Sequence, residues 1–231
     1  MEKDVHRYHG TDIEVSYDSN RCIHVRACVE GLPEVFDPEE RPWVDADGAD
    51  ADRTAAVVEQ CPTGALQYTR PDGDDGERPP DRNTVTASAD GPLYIHGDVD
   101  VRTPDGDPLL ADTRLGLCRC GRSGNKPLCD NSHSRVFESD GDDDGAEPDA
   151  EDSPSAEQER SSDPGRESHG PLTVTPSRNG PFVLDGPFDL RVGGTETTQD
   201  GAALCRCGRS GDKPFCDGTH AEVGFTTGEG E

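Results

Sequence analysis

The chain has 231 residues, 29% of them hydrophobic and 5% aromatic, with 22 Lys and Arg against 49 Asp and Glu for a formal net charge of −27. So little apolar material excludes one large core and points to one to three small domains stapled by metal ions or clusters. An Asp-rich surface with only three lysines, Lys3, Lys126 and Lys213, suits solvation in high salt, a halophilic composition, and it repels phosphate backbones, which argues against a nucleic-acid partner.

Nine cysteines are an odd number and make a poor disulfide framework. No basic-then-apolar leader opens the sequence, and no apolar run approaches the ~20 residues that span a bilayer. The expectation is a reduced, soluble, cytoplasmic protein that makes no membrane contact.

In chain order, residues 1–70 read as a small α/β unit. Residues 12–17 alternate like a strand, residues 52–60 carry a helical apolar pattern, and residues 66–68 form a short closing strand. Residues 71–81 are a polar linker rich in Asp, Gly and Pro. An internal repeat follows, at 82–137 and 171–226. Its copies share a strand pattern, Gly91-Pro-Leu-Tyr-Ile-His-Gly97 against Gly180-Pro-Phe-Val-Leu-Asp-Gly186. Second strands are expected at 99–101 and 188–190. Between the copies, residues 138–170 are acidic and rich in Ser, Pro and Gly, and are expected to be disordered. A flexible coil of that length reaches roughly 30 Å or more, enough for the copies to pack on each other.

Each copy ends in the same cluster of metal ligands. Cys118-Arg-Cys120-Gly-Arg-Ser-Gly-Asn-Lys-Pro-Leu-Cys129-Asp-Asn-Ser-His133 recurs as Cys205-Arg-Cys207-Gly-Arg-Ser-Gly-Asp-Lys-Pro-Phe-Cys216-Asp-Gly-Thr-His220. Three thiolates and an imidazole make a four-ligand site for iron or zinc. A single residue between the first two cysteines is less typical of zinc, whose paired cysteines are usually two to four residues apart. Asp130 and Asp217 read as helix N-caps, which would put Cys129 and Cys216 at helix starts and bring each histidine onto the same turn. Arg119, Arg122, Lys126, Arg206, Arg209 and Lys213 read as loop cations, either ordinary solvated charges or groups that tune a bound centre or a partner's docking.

This pattern, C-x-C-x2-S-x3-P-x-C-D-x-[S/T]-H, resembles the CDGSH iron–sulfur domain family. The resemblance implies a [2Fe–2S] cluster in each copy, held by Cys118, Cys120, Cys129 and His133 and by Cys205, Cys207, Cys216 and His220. It also implies that the preceding strands form a β-cap and that the copies pair as an intramolecular pseudo-dimer within a monomer. At the N-terminus, Cys61-Pro-Thr-Gly-Ala-Leu66 and Cys22-Ile-His-Val-Arg-Ala-Cys28 resemble a divergent single-cluster ferredoxin, with Val25 where a middle cysteine would stand. The resemblance covers residues 8–70 and implies a [3Fe–4S] cluster, or a [4Fe–4S] cluster with a non-cysteine fourth ligand, on Cys22, Cys28 and Cys61. His24 is a candidate for that ligand. His6, His9, His96 and His169 have no ligand-like neighbours and read as structural or solvated.

The expected fold class is α+β: a small ferredoxin-like domain and two CDGSH modules. The expected function is one-electron transfer through two 2Fe-2S clusters and one 3Fe-4S or 4Fe-4S cluster, with a redox partner protein. Iron–sulfur cluster storage, transfer to an apo acceptor protein or redox sensing is the alternative, and a zinc-stabilised interaction scaffold is a third. No triad, phosphate loop or paired acid/base motif is present, so no enzymatic activity is expected.

Overall fold

Strand exchange between the two repeats organises most of the computed structural model, which describes residues 4–71, 76–138 and 168–228. The acidic tract expected at 138–170 lies, apart from its ends, outside the described residues, as do residues 72–75 of the first linker. The architecture is sheet-rich with few helices. No helix among the described residues is long and apolar enough to cross a membrane.

The N-terminal domain is a three-stranded antiparallel sheet, β1 (Val5–His9), β2 (Glu14–Asp18) and β3 (Leu66–Thr69), in that order. Two helices pack beside it, α1 (Ala27–Gly31) and α2 (Ala51–Glu59). α2 starts where the Asp50 carboxylate accepts the Arg53 N–H at 2.9 Å, an N-cap of the usual kind. Its Ala55, Val57 and Val58 meet Ile13, Val15, Leu32 and Phe36 in a separate small core. The strand, helix and closing strand expected from sequence are all present, shifted by one or two residues. β1 and α1 were not anticipated. β1 is almost wholly exposed and so shows no apolar alternation, and α1 is barely more than a turn.

The repeats form one eight-stranded sheet. The first contributes β4 (Thr84–Ala87), β5 (Leu93–Arg102) and β6 (Pro108–Leu117). The second contributes β7 (Leu172–Pro176), β8 (Phe182–Asp185), β9 (Phe188–Val192), β10 (Thr195–Gln199) and β11 (Ala202–Leu204). Within a copy all pairings are antiparallel, whereas between copies they are parallel. β4 of the first copy lies on β9 of the second, and β7 of the second lies on the far half of β5. The exchange is reciprocal, so Val85, Leu93, Val101, Val174, Phe182 and Leu190 share one core. The strands expected at 91–97 and 99–101 are one continuous β5, beginning at Leu93.

Asn83 sits where β5 changes neighbour from β4 to β7. Its side-chain amide donates to the carbonyls of Gly170 (2.8 Å) and Pro187 (3.0 Å), and its oxygen accepts the Asp98 N–H at 3.0 Å. Beside it, Arg82 grips the buried Asp189 of the other copy through two hydrogen bonds, 2.6 and 2.8 Å. Asn83 is 1% exposed. Asn83→Ala strands three backbone groups at the seam between the copies and should cost roughly 2–4 kcal/mol in chemical denaturation of the metal-free chain. A change within error would show that the seam does not depend on this residue.

Candidate metal centres

Both ligand loops leave the sheet and return to it by the same bonds. Cys118 N–H donates to Pro127 O (2.9 Å) and Cys129 N–H to Gly116 O (2.8 Å); the second copy repeats these as Cys205 to Pro214 (2.7 Å) and Cys216 to Ala203 (2.8 Å). Inside each loop one hydroxyl acts twice: Ser123 donates to Leu128 O at 2.6 Å and accepts from Asn125 N–H, as Ser210 does with Phe215 and Asp212.

The predicted N-caps have a different role. Asp130 accepts from the N–H groups of Gly124 (2.7 Å) and Ser132 (3.0 Å), and Asp217 from those of Gly211 (2.8 Å) and Thr219 (2.9 Å). The helical turns begin later, a 3-10 turn at Ser132–Arg135 and α3 at Thr219–Glu222, behind left-handed Asn131 and Gly218. Cys129 and Cys216 therefore precede their helical turns by three residues. The aspartates clamp the two ends of the ligand loop together, and helices of one turn supply no useful dipole. The two backbone N–H bonds on Asp217 pull its carboxyl below the ordinary range.

The ligands fall into pairs. Cys118 and Cys120 sulfurs are 3.8 Å apart, and so are those of Cys205 and Cys207. Two thiolates at ~2.3 Å from one tetrahedral metal ion stand about 3.8 Å apart. Cys129 Sγ is 3.2 Å from His133 Nδ1, and Cys216 Sγ is 3.3 Å from His220 Nδ1, within a few tenths of an ångström of the span across one metal. Among the described residues no three His, Cys, Asp or Glu side chains converge on a single ion. Each copy thus offers two pairs of donors, each pair spaced for one metal ion.

Burial makes these thiols dependent on a metal. It pushes Cys129 up to about 12, against the pull of the Asn131 N–H, and it raises Cys207. A hydrogen bond between the pair lowers Cys118 and raises Cys120. Without a cation Cys120, Cys129 and Cys207 hold protons, and a thiolate-binding centre releases them.

The N-terminal cysteines also share one neighbourhood. Cys28 is pushed up to about 11 by burial first and then by the nearby charges of Cys61 and Cys22. Cys22 Sγ lies 3.9 Å from His24 Nδ1, which keeps His24 beside Cys22. His24 and Arg26 both have left-handed backbones, φ 61 and 72, and curl the segment that carries Cys22 and Cys28. Backbone strain of this kind on residues other than glycine gathers at functional sites.

Two of the expected loop cations are not at the surface. Arg119 and Arg206 are each 1% exposed. Arg119 donates to Ser88 O (2.6 Å) and Gly91 O (3.2 Å), and Arg206 to Ser177 O (3.3 Å), so each anchors its ligand loop to the turn of its own first hairpin. Their guanidinium carbons lie 5.1 Å from the Phe137 ring centre and 6.0 Å from that of Phe225. Lys126 and Lys213 donate to the carbonyls of Ser123 and Ser210, leaving Arg122 and Arg209 exposed. Sequence reasoning saw no burial here because an arginine beside a cysteine carries no apolar pattern.

The copies meet back to back at their ligand loops. At Gly121, φ 74, an added Cβ would lie 3.1 Å from Cys207 O, and at Gly208, φ 75, it would lie 3.1 Å from Cys120 O. Phe225 of the second copy covers Gly121, and Phe137 of the first covers Gly208.

With this geometry in view, comparison with known proteins is specific. Residues 8–71 match the family described as divergent 4Fe-4S mono-cluster, and residues 90–134 and 179–221 each match the iron-binding zinc finger of CDGSH type. The uncharacterized protein YjdI of Escherichia coli K12 is 34% identical over 61 residues, which is 26% of this chain and 80% of that protein; its counterpart in Escherichia coli O157:H7 matches equally. No solved structure matches the chain.

Proposed function

Since the chain belongs to the divergent 4Fe-4S mono-cluster family and carries two CDGSH-type iron-binding domains, we propose that it holds three iron–sulfur clusters and serves as a one-electron carrier between partner proteins. The observation that carries this is the pairing of ligands: Cys118 with Cys120 and Cys129 with His133, repeated as Cys205 with Cys207 and Cys216 with His220. These would hold one [2Fe–2S] cluster per copy, two donors on each iron. Cys22, Cys28 and Cys61 would hold a [3Fe–4S] cluster, or a [4Fe–4S] cluster with His24 or another non-cysteine ligand. When bound, such clusters supply one-electron redox centres whose potential follows ligand type, hydrogen bonds to sulfur and exposure.

The chain's own residues serve that role in three ways. Arg122 and Asn131 aim backbone N–H groups at Cys120 and Cys129 sulfurs at 3.4 and 3.5 Å, which favours the reduced, more negative state. The clamping aspartates and buried arginines fix the loops, so little rearranges when charge arrives. The reciprocal β4–β9 and β5–β7 pairing supports an intramolecular pseudo-dimer, with both loops at one junction. We assign the chain no enzymatic activity of its own.

A second reading, delivery of a cluster to an apo acceptor protein, is favoured by the second copy. Cys216 is more exposed than the buried Cys129, whereas the two histidines are alike half-buried. The test of the main reading is composition: anaerobically purified full-length chain should contain about seven or eight irons and about eight acid-labile sulfides. Stoichiometric zinc without sulfide, in cells given adequate iron, would overturn it in favour of a zinc-stabilised scaffold.

A further inference from the structure

The two CDGSH-type copies differ in the strand that leads into the ligand loop. Counting back from Cys118 and Cys205, Asp112, Arg114 and Gly116 of the first copy correspond to Gln199, Gly201 and Ala203 of the second. The three first-copy residues seat the N-terminal domain. Arg114 donates to the carbonyls of Val58 and Cys61, both at 2.6 Å, and of Leu66 at 2.9 Å. Arg21 reaches from the other side to Asp112 (2.6 Å) and to Arg114 O (2.8 Å). Gly116 leaves room for Thr63: a Cβ there would stand 2.9 Å from Thr63 Cγ2. In the second copy Ala203 carries that Cβ and is exposed, and the guanidinium and carboxylate are missing. Docking is encoded in one copy alone.

The seat joins two candidate sites. Thr63 Oγ1 is 3.7 Å from Cys61 Sγ, and its methyl group rests on Gly116. Gly116 O accepts the Cys129 N–H at 2.8 Å. From Cys129's copy, the Gly121–Gly208 junction leads on to Cys207. Resting on the three-cluster reading above, we infer that the sites form an ordered series: the N-terminal site exchanges electrons with the first CDGSH site across the Thr63–Gly116 contact and reaches the second only through the first. Each exchange moves one electron, one site's iron going from ferrous to ferric and the other's from ferric to ferrous. No bond is made or broken, and a low-potential one-electron donor supplies the series. The open Cys216–His220 end faces the external acceptor.

The experiment is EPR of full-length chain reduced with dithionite, with iron and sulfide measured on the same sample. The signal of the N-terminal cluster should be split or broadened by its neighbour. The splitting should vanish in Cys118→Ala/Cys120→Ala, persist in Cys205→Ala/Cys207→Ala, and weaken in Gly116→Val, where both ligand sets stay intact. Splitting that survives loss of the first site, that is unchanged in Gly116→Val, or that never appears in chain carrying its full iron and sulfide overturns the ordered series alone. Chain without iron and sulfide overturns the three-cluster reading, and the series with it.

Discussion

Lowering the pH from about 8 to about 5.5 should make the visible absorbance of the CDGSH sites decay about tenfold faster or more, because imidazole ordinarily titrates between those values. His133 and His220 each hold one nitrogen, Nδ1, 3.2 and 3.3 Å from the neighbouring cysteine's sulfur, where it would share that cysteine's metal. A proton on that nitrogen and iron on that nitrogen exclude each other. The emptied site therefore binds more protons than the loaded one, so the loaded state is favoured at high pH and lost as pH falls. Both histidines are half-buried, so water delivers the proton directly. Replacing both by cysteine should slow the acid-driven loss and lower the potential toward that of all-cysteine centres. Equal decay rates for the wild type and the double variant across that pH range would show that the histidines do not control release.

Arg114→Met should detach the N-terminal domain from the first copy at a cost of about 3–5 kcal/mol, because a buried charge loses its partner. The Arg114 and Glu77 side chains are 3% and 12% exposed and meet at 2.6 Å. The variant also leaves the carbonyls of Val58, Cys61 and Leu66 without this donor. Urea unfolding of the metal-free chain should change from one transition to two, while Arg114→Lys, which keeps the charge but loses the fork, should fall between. Burial pushes the Glu77 carboxyl up, but hydrogen bonding from His96 and the charge and hydrogen bonds of Arg114 outweigh it and hold it below the ordinary value of 4.5. Its contribution is thus complete above about pH 4.5 and lost as pH falls through the lower folded value. Without Arg114 that depression shrinks, and with it the stability lost on the acid side. A single transition with unchanged midpoint and pH dependence would place the joint elsewhere.

The ligand spacing, the repeat and the domain order were legible because they are local: one residue between cysteines, four from cysteine to histidine, and one sixteen-residue pattern written twice with twelve positions identical. Which strands pair across the copies was not, because the parallel pairing of Val85 with Leu190 joins residues far apart in the chain, and periodicity reports only which face is apolar. Asp130 followed by a Ser or Thr two residues on is the same text whether it caps a helix or closes a loop. The left-handed Asn131 decides between them, and an asparagine in that conformation has no signature of its own. The docking of the N-terminal domain did leave a trace. Arg114, Asp112 and Gly116 are where the copies disagree, and a difference between otherwise matched repeats marks what one copy does alone.

Burial of Arg21, Arg114, Arg119 and Arg206 also determines how the molecule meets others. A chain with only 22 cationic side chains has withdrawn these four into its joints, Arg21 and Arg114 together with the carboxylates of Asp112 and Glu77, and the face shown to solvent keeps the acidic character of the net charge of −27. At low ionic strength two such surfaces repel over about a Debye length, which lengthens as salt falls. Encounters with other acidic macromolecules are then rare, and those with a basic contact face are accelerated by attraction. In concentrated salt both effects fade to a few ångströms. The same internal cations that hold the domains together thus leave the selection of visitors to the salinity of the medium.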